Sequence, residues 1–421
     1  MTDAEETVKR NRTCEHPCYS KDAHHKYARM HLPVAPRCNI GCNYCNRKYD
    51  CVNESRPGVT SEVLTPQEAK EKFARVKEKI ANLSVVGIAG PGDALANWEE
   101  TKESIAAIKE LDPDVMICLS TNGLRLPELA AEIVKLGVRH VTVTVNCLEA
   151  EIGARIYRFV HYQGQNYSGL EGSKILIRNQ LAGIEYLARH QVMVKVNIVM
   201  IKDINDWHIP AVVKKVKELG AFISNIMPLI PAPGSVYEAF LQTSMKDLEK
   251  MRDKCQLDLQ QMRHCKQCRA DAIGLLEEDR AQEFSKHSLT KAMPVATTAG
   301  KRELYQIAVT SKHGKLVDLH FGHAGEFLIY QTDGDFIRLL KSRPVEKYCR
   351  GMAECDAEEA KRQAVIDAIG DCDAVLTMRI GEQAQQKLRG KGLLSVEACY
   401  TVEDGLRLAV ERLRQGKTES A

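Results

Sequence analysis

Short apolar segments alternate with amphipathic ones through the first two-thirds of the chain. Each apolar segment is a continuous run, as expected for a parallel strand that is covered on both faces. About six strand–helix units follow one another between residues 31 and 263. Units of this kind build a barrel or part of one, in which reactive side chains follow the carboxyl ends of the strands. The sequence therefore predicts an α/β fold containing a partial (β/α)6 TIM-like barrel.

The element boundaries can be predicted from the same pattern. Thr65 and Pro66 have the residue types preferred at the N-cap and first position of a helix. The predicted strands are 31–36, 84–90, 114–123, 139–147, 192–201 and 221–230, and the predicted helices are 66–83, 98–111, 127–137, 174–191, 209–220 and 244–263.

A change of composition near residue 281 predicts a domain boundary. Segment 281–303 is polar, rich in small residues and without apolar periodicity, which is typical of a linker. A polar lead (1–30) and the barrel (31–280) precede it. Residues 304–421 are numerous enough for an independent α/β domain. Its predicted strands are 304–311, 316–322, 326–334, 336–345, 373–381 and 393–400, and its predicted helices are 357–370, 382–392 and 402–415.

The chain has 15 cysteines among 421 residues, a high count whose meaning depends on the compartment. The N-terminal segment is polar and lacks the apolar core of a signal peptide, and no apolar run is long enough for a transmembrane helix. The cysteines also cluster with histidines, which favours metal or iron–sulfur binding in a reducing cytoplasm over disulfides. The net charge of +3 is too small to indicate binding to nucleic acid or to a membrane.

Cys38, Cys42 and Cys45 are spaced C-x3-C-x2-C just after the first predicted strand, and Tyr44 precedes the last of them. Three thiolates on a four-iron cluster leave one iron without a protein ligand, so that a cofactor or substrate can bind there. Structural zinc normally takes four ligands, often from two C-x2-C pairs. We therefore expect an iron–sulfur cluster rather than zinc or unrelated thiols.

This motif, with its aromatic residue and its place at the first strand end, resembles the radical S-adenosylmethionine (SAM) superfamily. The resemblance implies that the open iron binds the methionine moiety of SAM, whose cleavage produces a 5′-deoxyadenosyl radical. The glycine-rich "GIAGPGDAL" (87–95) and the later "STNG" (120–123) would then contact SAM, although a strand-to-helix turn and a helix cap are simpler alternatives. The candidate SAM contacts are Tyr44, Gly90, Gly92, Asp93, Ser120, Thr121, Asn122 and Asn146.

Further metal-ligating side chains lie outside that motif. Any one cysteine can be a packed core residue, and the C-x2-C beside His264 can be half of a zinc site. As a set, these side chains suit one or two additional iron–sulfur clusters. The set consists of Cys18, His24, His31, Cys51, Cys118, Cys265 and Cys268.

Residues 16–59, with "GIAGPGDAL", "CLSTNGL" and "CKQC", closely resemble the radical SAM family that builds the nitrogenase iron–molybdenum cofactor. The resemblance implies an enzyme of lyase or transferase type whose substrates are two further [4Fe-4S] clusters. One SAM would donate a methyl group to a cluster sulfide, and the radical from a second SAM would remove hydrogen from it. The product would be an eight-iron cluster with a central carbide and one added sulfur.

The resemblance also implies roles for particular residues. Cys38, Cys42 and Cys45 would hold the radical-forming cluster. Cys18 and Cys51, with either His24 or His31, would hold one substrate cluster, and Cys118, Cys265 and Cys268 would hold the other. Cys14 and Cys147 remain without a role. Acid–base candidates, with surface ion pairs as the alternative, are Glu54 and Arg56 just after Cys51, together with Glu62 and His161.

The C-terminal segment "LVDLHFGHAGEF" (316–327) resembles the NifX/NafY-type cofactor-binding domain, which has a ribonuclease-H-like fold. The resemblance implies a place where a finished cluster docks, with His320 and His323 as candidate contacts; Cys349 and Cys355 nearby can be incidental. Expected partners are iron–sulfur cluster donor proteins, an electron donor, and cofactor carrier or nitrogenase scaffold proteins.

Two alternative functions remain open. One is a different radical SAM enzyme with auxiliary clusters, such as a peptide-modifying maturase. Those enzymes typically carry their auxiliary cysteines in a C-terminal extension, whereas here two of them flank the first motif. The other is a non-enzymatic iron–sulfur carrier, which would need neither the "GPGD" loop nor an open iron.

Overall fold

A computed structural model gives the architecture of two compact units, residues 1–292 and 293–421. The structure describes residues 3–53, 60, 62–241, 243–276, 278–284, 304–311, 314, 316–345, 358–398 and 401–418. The division between the units falls in the segment predicted as a linker, of which residues 285–303 lie outside the described residues.

The first unit alternates strands with helices as predicted. Its helices are α1 (Asp3–Arg10), α2 (Pro66–Lys79), α3 (Trp98–Leu111), α4 (Leu126–Lys135), α5 (Ala150–Ile156), α6 (Gly169–Arg189), α7 (Ile209–Glu218) and α8 (Met245–Gln256). Its strands are β1 (Ala28–His31), β2 (Ile40–Cys42), β3 (Leu83–Ile88), β4 (Met116–Thr121), β5 (His140–Thr144), β6 (Tyr157–Tyr162), β7 (Gln165–Tyr167), β8 (Met193–Met200), β9 (Ile223–Pro228) and β10 (Ile273–Gly274).

Seven strands of this unit form one sheet in the order β10-β1-β3-β4-β5-β8-β9. The six strands from β1 to β9 in that order run parallel, and only β10 is antiparallel to its neighbour. The outward side chains, such as Leu119, Val141 and Val194, are buried in one apolar cluster with the helices. The predicted partial (β/α)6 barrel is therefore confirmed.

The first strand was predicted at the wrong place. The strand is Ala28–His31, and the chain leaves the sheet over the next residues, where Pro33 and Pro36 have no N–H to donate to a ladder. Leu32 still donates to the Gly87 carbonyl at 2.9 Å, so the departing segment stays beside β3.

A three-stranded antiparallel sheet, ordered β2-β6-β7, was not predicted at all. Strand β2 carries Cys42, and it pairs with β6 through Ile40 and Val160. Half of strand β6 is exposed, and it follows the short helix α5, so its sequence lacks the continuous apolar run of the parallel strands. This small sheet places the cysteine loop beside the ends of the parallel strands.

The second unit is a smaller α/β domain, as predicted. Its strands are β11 (Tyr305–Val309), β12 (Glu326–Thr332), β13 (Ile337–Pro344), β14 (Ala374–Thr377) and β15 (Leu394–Glu397), and its helices are α9 (Glu358–Asp367), α10 (Glu382–Gly390) and α11 (Val402–Thr418). The sheet order is β13-β12-β11-β14-β15, in which β12 and β13 are antiparallel additions to a parallel core.

The strand predicted at 316–322 is wrong. Leu316 and His320 each make only an isolated bridge, and Phe321–His323 form a 3-10 turn. The His320 ring stabilises that turn, because its Nδ1 accepts a hydrogen bond from the Gly322 N–H at 3.0 Å. The alternating apolar residues predicted a strand here, but the side-chain hydrogen bond of His320 favours a turn instead.

Among the described residues, no helix has both the length and the apolar composition that crossing a membrane requires.

The predicted start of α2 is confirmed in detail and gives a stability prediction. Thr65 accepts from the Glu68 N–H at 3.3 Å, and the Glu68 carboxylate accepts from the Thr65 N–H at 2.9 Å. Replacing Thr65 by Ala removes this reciprocal cap, and we expect the free energy of unfolding to fall by about 1 kcal/mol. Denaturant titration of the variants measures it. Thr65→Ser keeps the hydroxyl and should retain most of the stability. If Thr65→Ala and Thr65→Ser lose equal free energy of unfolding, the hydroxyl cap does not stabilise the helix.

Candidate functional site

Two cavities open on the inner side of the parallel sheet, and both are lined by cysteines. The cysteine-loop pocket is lined by Cys38, Ile40, Cys42, Cys45, Arg47, Cys51, Asn53, Gly92, Asp93, Ser120, Thr121, Asn122 and Thr144. The central cavity is lined chiefly by His16, Cys18, Arg29, His31, Cys118, Ser120, Thr142, Lys195, Asn197, Asn225, Cys265 and Cys268. Ser120 lines both cavities, so the two are neighbours.

Strand alternation supplies the polar side chains of the central cavity. Successive residues of a strand point to opposite faces, so Cys118 and Ser120 on β4 face inward while Leu119 packs outward. Thr142 on β5 and Lys195 on β8 face inward in the same way. The inner face of the sheet therefore carries polar and thiol side chains among apolar ones such as Val85 and Met262, although the strands look uniformly apolar in the sequence.

Main-chain contacts from distant segments hold the cysteine loop in place. Asn43 donates its N–H to the Ile156 carbonyl at 2.8 Å, and its own carbonyl accepts from the Tyr237 N–H at 2.9 Å. The Tyr44 carbonyl accepts from the Ala232 N–H at 3.0 Å. These hydrogen bonds hold the cysteine loop from two segments that are distant in the sequence.

Tyr44 and Asn146, both predicted SAM contacts, do not line the cysteine-loop pocket. Both are fully buried beneath it. The Tyr44 hydroxyl donates to Asn53 Oδ1 at 2.6 Å and accepts from Asn146 Nδ2 at 2.8 Å. Asn146 Oδ1 accepts from the Val199 N–H at 2.9 Å. These two side chains connect the loop to the ends of β5 and β8.

The glycines of the "GPGD" loop are explained by close backbone approach. The Gly92 N–H donates to the Ala35 carbonyl at 2.6 Å, and a Cβ at Gly92 would overlap the carbonyl oxygen of Arg37. Gly90 has a φ of 146°, which L side chains rarely adopt. Gly92 lines the cysteine-loop pocket, whereas Gly90 lies behind it.

Asp93 joins the ends of two strands through its buried carboxylate. It accepts from the Leu95 and Ala96 N–H groups at 2.9 and 3.0 Å, from Thr121 Oγ1 at 2.9 Å and from the Asn122 N–H at 2.6 Å. Burial raises the pKa of Asp93, and these hydrogen bonds oppose the rise. The Asp93 carboxylate already accepts hydrogen bonds from four residues, so a contact with a SAM ammonium group would be an additional one.

Ser120, Thr121 and Asn122 all line the cysteine-loop pocket, as predicted for cofactor contacts. Asn122 Nδ2 lies 3.9 Å from Cys38 Sγ and donates to Asn39 Oδ1 at 2.6 Å. The segment after β4 therefore faces the cysteine loop directly.

Burial opposes the ionisation of Cys18, Cys38 and Cys45. Desolvation raises the pKa of Cys38 to about 12 and that of Cys18 to about 11, and it raises the pKa of Cys45, where Arg47 opposes it. Positively charged irons would have to displace these protons. Within the described part of the chain, no three His, Cys, Asp or Glu side chains converge tightly enough for one metal ion. A four-iron cluster needs a wider spacing, because each thiolate binds a different iron.

In the central cavity, Cys18 and Cys118 meet the C-x2-C pair of Cys265 and Cys268. The cavity thus combines residues that were predicted to serve two different substrate clusters. Cys51, predicted to act with Cys18, instead lines the cysteine-loop pocket.

The structure separates the two candidate histidines. His31 lines the central cavity, and its Nδ1 donates to the Arg269 carbonyl at 3.0 Å. Desolvation lowers the pKa of His31 to about 4, so the ring is neutral and its Nε2 is left as a potential metal ligand. His24 lines neither cavity; it stacks on His25 and His264 with ring centroids 3.6 and 5.0 Å away.

The cavity residues that were missed from the sequence include His16, Arg29 and Lys195. Arg29 Nη2 lies 3.4 Å from Cys268 Sγ, and its Nη1 donates to the Gly274 carbonyl at 2.6 Å. The only sequence signal for His16 is its position two residues before Cys18. Arg29 and Lys195 lie inside strand segments, where an isolated basic residue gives no spacing signal.

Of the predicted acid–base candidates, the two that the structure describes, Glu62 and His161, line neither cavity. Glu54 and Arg56 lie outside the described residues. Glu62 forms a buried ion pair with Lys72 at 2.5 Å, and His161 is exposed and bonded to Asn166 at 2.8 Å.

In the second unit, His320 and His323 lie side by side, with ring centroids 5.2 Å apart. Desolvation lowers the pKa of His320. Cys349 and Cys355 lie outside the described residues.

Comparison with known proteins identifies similar sequences over both units. Residues 32–216 match the Radical SAM superfamily, and residues 304–416 match the family described as Dinitrogenase iron-molybdenum cofactor. Three relatives carry the name FeMo cofactor biosynthesis protein NifB. The relative from Frankia alni is 42% identical over 94% of this chain and 88% of its own length. Those from Klebsiella pneumoniae and Rhodobacter capsulatus are 43% and 41% identical, over 92% and 97% of this chain and 87% and 98% of their own lengths.

The close approach at Gly92 gives a test of the cysteine-loop pocket. Gly92→Ala would force its Cβ against the backbone carbonyls of Arg37 and Ala35, which cannot rotate away. We expect the segment carrying Cys38 to be displaced, at an overpacking cost of roughly 1–3 kcal/mol, and the iron bound through the loop to be mostly lost. Iron analysis after anaerobic reconstitution measures this. Gly325→Ala, which meets no heavy atom within 4 Å, is the control and should retain its iron. Full iron retention in Gly92→Ala would contradict the expectation.

Proposed function

Because this chain belongs to the NifB family of FeMo cofactor biosynthesis proteins and to the radical SAM superfamily, we propose that it fuses two [4Fe-4S] clusters into an eight-iron precursor of the nitrogenase cofactor. In this proposal a carbon from SAM becomes the central carbide, and one sulfur is added. The observation that carries it is the pair of neighbouring, cysteine-lined cavities that share Ser120. One cavity suits a radical source and the other suits a metal-cluster substrate.

The cysteine-loop pocket has the donor set that the resident cofactors require. Three cysteines on one loop fit a four-iron cluster with one open iron, and polar groups after β4 face them. With SAM bound, such a cluster supplies the 5′-deoxyadenosyl radical. Cys38, Cys42 and Cys45 would hold the cluster, Thr121 and Asn122 would orient SAM, and Gly92 would allow its close approach.

The central cavity would hold the substrate clusters. Cys18, Cys118, Cys265 and Cys268 supply four thiolates, and His31 supplies a neutral imidazole. An imidazole is a more labile ligand than a thiolate, which suits a cluster that must later be released. The Arg29 guanidinium, beside Cys268, would balance part of the negative charge of a thiolate-bound cluster.

Cys51 would complete the ligand set from the other side. It lines the cysteine-loop pocket, and its N–H donates to the Pro91 carbonyl at 3.0 Å, so it is held close to the "GPGD" loop. From this position, its sulfur would bind the substrate cluster at the boundary between the two cavities. The methyl group to be activated would then lie beside the radical source.

We propose the second unit as a docking place for the product. Its support is the match of residues 304–416 to the Dinitrogenase iron-molybdenum cofactor family. His320 and His323 would contact the cluster transiently. Cluster donor proteins, an electron donor and carrier or scaffold proteins of the nitrogenase pathway remain proposed partners.

Iron counting tests the number of clusters. The proposed fusion predicts about twelve irons per anaerobically reconstituted chain, in three four-iron clusters. The double variant Cys265→Ser, Cys268→Ser removes ligands from one central cluster and should retain about eight. Its cysteine-loop cluster should keep the SAM-dependent change in its electron paramagnetic resonance (EPR) signal, which serves as the internal control. Four irons in the unaltered protein would refute the fusion proposal.

Replacing each candidate histidine identifies the imidazole ligand. We expect His31→Ala to abolish the nitrogen coupling of one central cluster, because its Nε2 faces the cavity. His24→Ala is the matched control, since that ring lies outside both cavities, and it should keep the coupling. Pulsed EPR measures this coupling. The reverse pattern would assign the ligand to His24.

The reaction products distinguish the fusion from the two alternatives. Fusion expects both S-adenosylhomocysteine, from methyl transfer, and 5′-deoxyadenosine, from hydrogen abstraction. A different radical SAM enzyme would yield mainly 5′-deoxyadenosine, and a cluster carrier would yield neither. Chromatography of anaerobic reactions with SAM and a reductant measures both products.

A further inference from the structure

His16 is a buried side chain of the central cavity that the proposed chemistry has not used. Its exposed fraction is 1%, and its ring is among those that line the cavity with Cys18, Cys118, Cys265 and Cys268. It precedes Cys18 by two residues and is fixed to it, because the Cys18 N–H donates to His16 Nδ1 at 3.1 Å.

That hydrogen bond determines where the ring carries its proton. Since Nδ1 accepts, a neutral His16 must be protonated at Nε2. Arg29, Lys195 and Lys266 line the same cavity, and a further positive charge beside them would be unfavourable. His16 therefore holds a donor N–H at Nε2.

This donor has no acceptor in the described part of the chain. The Nε2 atom is fully buried and makes no hydrogen bond there. Leaving such a group unpaired is unfavourable, and buried donors in native proteins nearly always have a partner. A group bound in the cavity is therefore the candidate acceptor for this N–H.

We propose that His16 donates a hydrogen bond from Nε2 to a sulfide of the substrate cluster bound through Cys18. This inference rests on the proposed function, which places that cluster in the cavity. His16 would be a positioning residue that fixes the orientation of the cluster and raises its reduction potential, because hydrogen bonds to the sulfurs stabilise the more negative, reduced state.

A purely structural role is the competing explanation. The His16 ring packs against Tyr19 and His140, with ring centroids 4.6 and 4.7 Å away. His140 is a matched control, because it is equally buried in this stack and also has an unpaired nitrogen, Nδ1. It contacts Thr13 Oγ1 at 3.2 Å and does not line the cavity.

Two substitutions separate the two nitrogens of His16. His16→Asn places an amide oxygen near the position of Nδ1, so it can still accept from the Cys18 N–H, but it has no donor at the position of Nε2. His16→Gln places an amide N–H near Nε2 and so restores the donor. His140→Asn perturbs the same aromatic stack without touching the cavity.

The measurement is a redox titration of the full-length protein, anaerobically reconstituted with iron and sulfide and without SAM, followed by EPR. For His16→Asn we expect the midpoint potential of one central cluster to fall. At a fixed potential its ratio of reduced to oxidised form should drop by roughly threefold to tenfold, which is the range expected for the net contribution of one ordinary hydrogen bond. His16→Gln should restore most of the ratio. The cysteine-loop cluster, and every cluster in His140→Asn, should remain unchanged.

The outcomes are decisive in each direction. An unchanged potential in His16→Asn with all clusters present overturns the proposal, and so does an equal shift in His140→Asn. If His16→Asn loses the cluster, His16→Gln decides: retention at the original potential supports the donor role, and loss in both variants overturns it. Failure of the proposed function looks different, because the unaltered protein would then contain only the four irons of the cysteine loop.

Discussion

Every second residue of the parallel strands points into the half-barrel, and this alternation decides what the interior contains. The outward positions bury aliphatic side chains against the helices and stabilise the sheet. The inward positions hold Cys118, Ser120, Thr142 and Lys195 beside a smaller buried apolar cluster that includes Met116 and Met193. The outer face is therefore mainly apolar, and the inner face combines packing with polar and thiol groups.

The inward face creates an electrostatic requirement as well. Thiols withdrawn from water resist ionisation, as the raised pKa values of Cys18 and Cys38 show. Irons bound here and their thiolate ligands would therefore depend on each other, since irons make thiolates favourable and thiolates retain irons. Arg29 and Arg47 provide fixed positive charge beside these sulfurs, at Cys268 and Cys45 respectively.

The large elements of the fold were predictable from sequence, because their signals are local. Apolar runs marked five of the six parallel strands, and Thr65 and Pro66 marked the start of α2. The first strand and the β6–β7 hairpin were not predictable, because prolines and tertiary pairing, rather than local period, set their limits. In the site, the three cysteines of C-x3-C-x2-C line one pocket, and their role as cluster ligands stays a prediction. Cys18, Cys118, His16 and Lys195 line one cavity only because of the order in which the strands pair. No spacing in the sequence encodes that order.

The anchoring of the cysteine loop has a consequence for the order in which the protein is made. Its contacts come from Ile156, Val160, Ala232 and Tyr237, all far along the chain from Cys38. Contacts of such high sequence separation form late in folding, after local elements have reduced the cost of closing the intervening chain. During synthesis the three cysteines therefore leave the ribosome long before the segments that position them. We expect the cysteine loop to reach its final geometry, and so to be able to accept a cluster, only after translation has passed residue 237.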